Sequence, residues 1–91
     1  MKPKVVVTTK HRGVFFGTLE SRDETEVVLT DVRVCVYWSK GTKGFVGLAV
    51  TGPMQGSRVS LAAPRMDVLD VTAVLYCSEA AIAQWESVQW S

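Results

Sequence analysis

The chain predicts a small, mainly β domain: a strongly bent antiparallel β-barrel with one C-terminal α-helix. Three observations point there. Between residues 13 and 38, two runs rich in β-branched and aromatic residues flank the polar stretch Ser21-Arg22-Asp23-Glu24-Thr25, the pattern of a β-hairpin. Near the N-terminus Val5, Val6 and Val7 stand in succession, and a β-branched run disfavours helix and suits a pleated surface. Only the segment beginning at Ser78 joins a capping residue to apolar residues at helical spacing.

The elements follow in order. The valine run predicts a first strand over residues 4–9. His11-Arg12-Gly13 reads as a turn or bulge, and a second strand follows over 14–20. Gly17 lies in its middle, where a missing side chain permits a sharp bend or a close backbone crossing. The third strand, 26–38, places Val28, Thr30, Val32, Val34, Val36 and Trp38 on one face at period two. Thirteen residues are long for one straight strand, so a bend near Asp31 or Arg33 is expected. Residues 45–51 read as a fourth strand, Gly52-Pro53 as a turn, 58–61 as a short strand and 62–64 as a bend. Residues 68–77 are apolar on both faces and read as a central last strand. Ser78 then caps a helix over 79–88, with Glu79 in its first turn. Ala81, Ile82, Trp85 and Val88 share one face, as for a lid over a barrel mouth.

Length and composition bound the rest. The 91 residues form one domain. The hydrophobic share of 47% and the mean hydropathy of +0.16 are high for so short a chain, and suggest apolar surface covered by a partner or another copy. A net charge of +1 gives no global pull toward nucleic acid or membrane. No run reaches the ~18 apolar residues of a membrane span, and Val5 to Val7 is too short for a leader's apolar core. Cys35 and Cys77 sit in predicted strands without Cys-x-x-Cys spacing, which predicts buried thiols and a cytoplasmic protein.

The chemistry-bearing residues are sparse. One histidine and two dispersed cysteines make no zinc set, so no metal or other cofactor is expected. Asp23, Glu24 and Glu26 suit a solvated turn better than a general acid/base pair, and Asp67 and Asp70 read as a strand entry, with a cation site as the alternative. No constellation supports catalysis. Residues 39–44 read Ser-Lys-Gly-Thr-Lys-Gly, where glycine backbone N–H groups together with Lys40 and Lys43 suit a phosphate. Tyr37 and Trp38 precede this loop and offer rings for base stacking. Arg58 and Arg65 are candidates for the same basic surface. The alternative for the loop is a solvated hairpin tip with Trp38 in the core. Residues 52–56, Gly-Pro-Met-Gln-Gly, are a second loop candidate, for a pocket, an oligomer contact or a plain connection.

Two resemblances add to this reading. Gly17, Leu19, Asp23, Leu29 and Asp31 stand in an order similar to the first motif of the Sm-like barrels. That resemblance implies a bent five-stranded barrel of Sm/SH3 type that forms rings. The chain departs from the family at its RNA-contacting asparagine and at its Arg-Gly step, so the uridine pocket does not carry over. Over its whole length the chain resembles a family of short phage, prophage and bacterial proteins, a domain of unknown function. The pieces are Thr-x-x-His-Arg-Gly-Val-Phe-Phe-Gly at 8–17, Tyr-Trp-Ser at 37–39, Thr-Gly-Pro at 51–53, Ala-Ala-Pro-Arg at 62–65 and the alanine-rich helix ending in tryptophan. This resemblance implies a phage or prophage origin and action in the host cytoplasm.

The function expected is a non-enzymatic, homo-oligomeric binding or assembly module, with Phe45, Trp85 and Trp90 as interface residues and edge strands pairing into a ring or dimer. A host protein is a further candidate partner. The alternative is a nucleotide- or nucleic-acid-binding protein acting through Tyr37, Trp38, Lys40, Lys43, Arg58 and Arg65.

Overall fold

The computed structural model describes residues 2–10, 13–37, 44–53, 58–60 and 62–87. Six antiparallel strands and two helices follow one another: β1 Lys4–Thr9, β2 Val14–Arg22, β3 Val27–Tyr37, α1 Gly44–Val50, β4 Arg58–Val59, β5 Ala63–Val68, β6 Val71–Tyr76 and α2 Glu79–Ser87. The sheet runs β4-β3-β2-β1-β6, and β5 pairs with the first half of β3. It is mainly β with a C-terminal helix, and it does not close into a barrel: β4 and β5 share one edge along β3, β6 forms the other, and no pairing joins the two among the described residues.

The sheet is nevertheless strongly curled. β5 and β6 stand four strand spacings apart, ~19 Å if the sheet were flat. Three Cα steps from Val68 to Val71 join them and span at most ~11 Å. The edges are therefore drawn together, and Val68 of one shares a core cluster with Val71 and Val74 of the other. Asp70, at φ 56°, makes the kink that carries the chain across. The last strand expected over 68–77 is therefore β6, which starts at Val71 beyond this kink; β5 shares only Val68 with the expected strand and takes in two of the three residues expected as a bend over 62–64.

Each face of the sheet has its own core. Val5, Val7, Val27, Leu29, Val32 and Val68 fill the concave side. Val6, Val14 and Phe16 lie on the other side, where Leu48 and Ala49 of α1 and Ala81 and Trp85 of α2 cover them. Because strand side chains alternate, the three valines of β1 serve both cores and are fully buried. β1 is thus the strand buried on both faces, not 68–77. α2 covers the outer sheet face rather than a barrel mouth, because Val6 and Phe16 need cover there.

β3 bends at Asp31, which has φ 51°. Between the pairs Phe16–Arg33 and Thr18–Thr30, Gly17 alone stands opposite Asp31 and Val32, a β-bulge. A side chain at Gly17 would begin 3.0 Å from the Thr30 carbonyl oxygen, tighter than an ordinary contact, so this close approach favours glycine. The bulge also shifts the side-chain phase. Val27 and Leu29 are buried before it and Val32 after it, whereas Val28 and Thr30 are only half-buried. The expected even-numbered core face is therefore wrong in the first half of the strand.

Residues 45–51 are not a strand; α1 occupies most of that stretch. Packing of Leu48 and Ala49 against β1 and α2 overrides the β propensity of Phe45, Val46 and Val50. The N–H groups of Thr51 and Gly52 both reach the Gly47 carbonyl, and Gly52, at φ 80°, ends the helix. Ser78 caps α2 as expected: its Oγ accepts from the Ala81 N–H at 3.1 Å and donates to the Val50 carbonyl, tying the two helices.

Candidate functional site

The two sheet edges differ in kind. The β5 edge reads Ala-Pro-Arg-Met-Asp-Val. Pro64 has no N–H to offer a further strand, and the exposed Arg65 and Asp67 pair at 3.5 Å. Proline and charge are the usual means by which an edge resists pairing. The β6 edge reads Val-Thr-Ala-Val-Leu-Tyr. It holds neither proline nor charge, and its outer side pairs with no strand among the described residues.

The ladder with β1 shows which backbone groups that edge presents. The Cys77 N–H donates to the Lys4 carbonyl at 3.1 Å. In the same register Leu75 faces Val6 and Ala73 faces Thr8. Hydrogen-bonded and non-hydrogen-bonded pairs alternate in an antiparallel ladder. Leu75 and Ala73 thus bond to β1, while Val74 and Tyr76 turn their N–H and C=O groups outward. Around this edge lie the exposed apolar side chains. Tyr76 is 57% exposed and Val50 is 55% exposed. Val50 is held near the end of β6 because its carbonyl accepts from Ser78, two residues beyond Tyr76. Val46 lies one turn earlier on α1 and is also exposed. Leu69, at the kink before β6, is 60% exposed.

Trp85, expected at an oligomer interface, is fully buried within its own chain. Its ring stacks on Phe16 with centroids 4.8 Å apart and planes 5° from parallel. Its Nε1–H donates to the Leu48 carbonyl at 2.9 Å. Its own carbonyl accepts from the Arg33 guanidinium, which also donates through Nε to the Ser60 carbonyl at 2.8 Å. A cation near the last carbonyls of a helix is favourably placed against the macrodipole. Burial lowers the Arg33 pKa from its ordinary value. Lys4 reaches over from β1, pairing with Glu86 at 2.9 Å and lying 5.8 Å from the Phe16 ring centroid. These groups lock α2 onto the sheet and leave no part of Trp85 for a partner.

Arg58 and Arg65 are exposed but do not meet along the sheet. Arg58 stands opposite Tyr37 and Arg65 opposite Thr30, roughly 20 Å apart along β3. Arg65 belongs instead to a polar cluster with Lys2, Glu20 and Thr30. The Lys2 ammonium and the Thr30 hydroxyl, both bonded to Glu20, hold its carboxyl below the usual range, with Arg65 adding to the effect. Trp38, Lys40, Lys43 and Trp90 lie outside the described residues, as do the side chains of Tyr37 and Phe45. The same is true of Val88, of His11 and Arg12, and of residues 54–57 in the second loop candidate.

Cys35 is buried and Cys77 half-buried beside the helix-covered core. Burial pushes the Cys77 thiol up to about 12, against a smaller opposing effect from Lys4. No group of three or more metal-ligating side chains occurs among the described residues, and none of their helices is long and apolar enough to cross a membrane.

The sequence model of one family, described as a domain of unknown function (DUF6948), matches residues 2–85. The chain belongs to the DUF6948 family. The match takes in the 8–17, 37–39, 51–53 and 62–65 pieces that carry the whole-length resemblance, and all of β1 to β6. It ends at Trp85, the residue that pins α2 to the sheet. No curated protein and no solved structure gives a significant match.

Proposed function

We propose that the chain is a non-enzymatic protein-contact module that works in binding or assembly by adding a partner strand to the outer edge of β6. One observation carries this reading: an uncharged, proline-free strand stands at an edge, while the opposite edge of the same sheet has proline and charge. Strand addition satisfies outward backbone groups such as those of Val74 and Tyr76, which pair with no strand among the described residues, and side chains flanking the strand give it specificity. The exposed Tyr76, Val50 and Val46 supply such flanking surface. The partner strand comes from another copy of the chain or from a host protein. The curled sheet supports a half-open barrel of Sm/SH3 type as the scaffold, and the raised Cys77 pKa supports an inert rather than a catalytic thiol. A phage or prophage origin and a cytoplasmic site of action belong to the same reading through the whole-length resemblance.

Nucleotide or nucleic-acid binding through the 39–44 loop is the competing reading, and the separation of Arg58 from Arg65 counts against it. Native mass spectrometry of freshly purified protein at low and raised salt tests the two. The protein-contact reading expects multiples of 10.0 kDa, or a complex with another protein, that survive added salt. Retained nucleotide or oligonucleotide that is lost steeply as salt rises would overturn it.

A further inference from the structure

Resting on the reading of the β6 edge as a contact surface, we infer that its partner is a second copy of the chain, paired antiparallel through a twofold axis at Leu75. Twofold symmetry selects the register. An antiparallel pair of identical strands related by an axis normal to the sheet must place a residue opposite its own copy or opposite one an even number of positions away. The regular part of the edge turns out the backbone groups of Val74 and Tyr76. The register that uses both sets Val74 against the partner copy's Tyr76 on either side of the axis. Each of these pairs exchanges both of its backbone hydrogen bonds. Leu75 then meets its own copy as the central non-hydrogen-bonded pair, where side chains approach most closely.

The side chains suit this arrangement. Leu75 is half-buried and apolar, so its outer part gains cover from an identical neighbour. Tyr76, more than half exposed in the single chain, lies beside the partner copy's Val74, an aromatic and β-branched cross-strand pair. β6 carries no charge, so self-pairing brings no like charges together. A head-to-tail contact of β6 with the β5 edge of another copy meets Pro64, Arg65 and Asp67 instead. The two edges that would alternate around a ring are thus mismatched, whereas β6 matches itself. The contact closes on itself as a dimer and leaves no second β6 edge for further growth.

Sedimentation of the whole chain over a wide concentration range, with three variants, tests the inference. The wild-type mass is expected to rise from 10.0 kDa to twice that value. Val74→Pro removes an outward N–H, which an edge strand tolerates, and is expected to abolish the doubling. Tyr76→Lys, at an exposed position, is expected to weaken association at least tenfold and serves if Val74→Pro does not fold. Leu75→Cys in a Cys77→Ser background is expected to crosslink the dimer on oxidation, since such pairs lie ~4.5 Å apart at Cα, within disulfide reach. A wild-type protein that stays at 10.0 kDa throughout overturns the self-pairing and leaves the edge to a foreign strand. A dimer that folded Val74→Pro and Tyr76→Lys chains still form overturns both the self-pairing and the reading of β6 as the contact edge.

Discussion

Replacing Trp85 with alanine is the sharpest perturbation of the fold. The side chain is fully buried, stacks on Phe16 at 4.8 Å and donates its indole N–H to the Leu48 carbonyl at 2.9 Å. Deleting a buried tryptophan costs ~3–5 kcal/mol, more where the surroundings cannot collapse. Here α1, α2 and β2 all lean on the ring, so the upper part of the range is expected. Trp85→Phe separates the contributions: a ring still covers Phe16, but the Leu48 carbonyl loses its donor, at ~1–3 kcal/mol. A domain of 91 residues has ~5–14 kcal/mol of total stability, so the alanine variant gives up more than about a quarter of it. At ~4–8 °C of melting temperature per kcal/mol, the loss exceeds ~12 °C. Urea unfolding followed by far-ultraviolet circular dichroism reads the midpoint and the slope, and an unchanged slope licenses the comparison. A loss below ~1 kcal/mol for Trp85→Ala, the range of an ordinary substitution, would refute the account of how α2 is held.

Other predictions follow from close approaches, caps and burial. Gly52→Ala forces φ 80° on a residue with a Cβ and sets that carbon 2.6 Å from Gln84 Cβ; a loss above ~1 kcal/mol is expected in the same urea assay. Gly17→Ala sets its Cβ 3.0 Å from the Thr30 carbonyl oxygen and 3.2 Å from Leu29 Cβ, and a loss of ~1–3 kcal/mol is expected. An unchanged midpoint for either variant would count against the geometry at that position. Ser78→Ala removes the α2 cap and the tie to the Val50 carbonyl, for an expected ~0.5–2 kcal/mol. The Cys77 thiol is raised to about 12 in the folded chain from an ordinary 9.0. Its contribution to stability is therefore complete below pH 9.0 and is lost as pH climbs toward 12. Urea midpoints should fall across that window more steeply for wild type than for Cys77→Ala, and equal slopes would count against burial of the thiol.

Local chemistry made much of this fold legible. The valine run, the β2–β3 hairpin, Gly17 as a close crossing, a bend near Asp31 or Arg33 and the Ser78 cap each depend on a few neighbouring residues whose preferences agree. The failures lie where distant packing decides. Gly44–Val50 has the composition of a strand and becomes a helix because Leu48 and Ala49 find cover against β1 and α2. The side-chain phase of β3 flips because Asp31 takes a left-handed conformation, which a period-two count cannot register. Trp85 reads equally well as core or as contact surface until Phe16 is seen beneath it. The candidate site was concealed by its own composition. Val-Thr-Ala-Val-Leu-Tyr looks like a central strand, and the fold places it at an edge.

Hydrogen exchange at the Val74 and Tyr76 amides, in dilute and in concentrated protein, tests the role of that edge most directly. Both N–H groups point away from β1 and pair with no strand among the described residues, so a strand that arrives from outside is expected to protect them. Fast exchange at both amides is expected when the chain is dilute and slow exchange when it is concentrated, with Leu75 protected throughout by β1. Equally fast exchange at Val74 and Tyr76 under both conditions, in a chain shown to be associated, would contradict it.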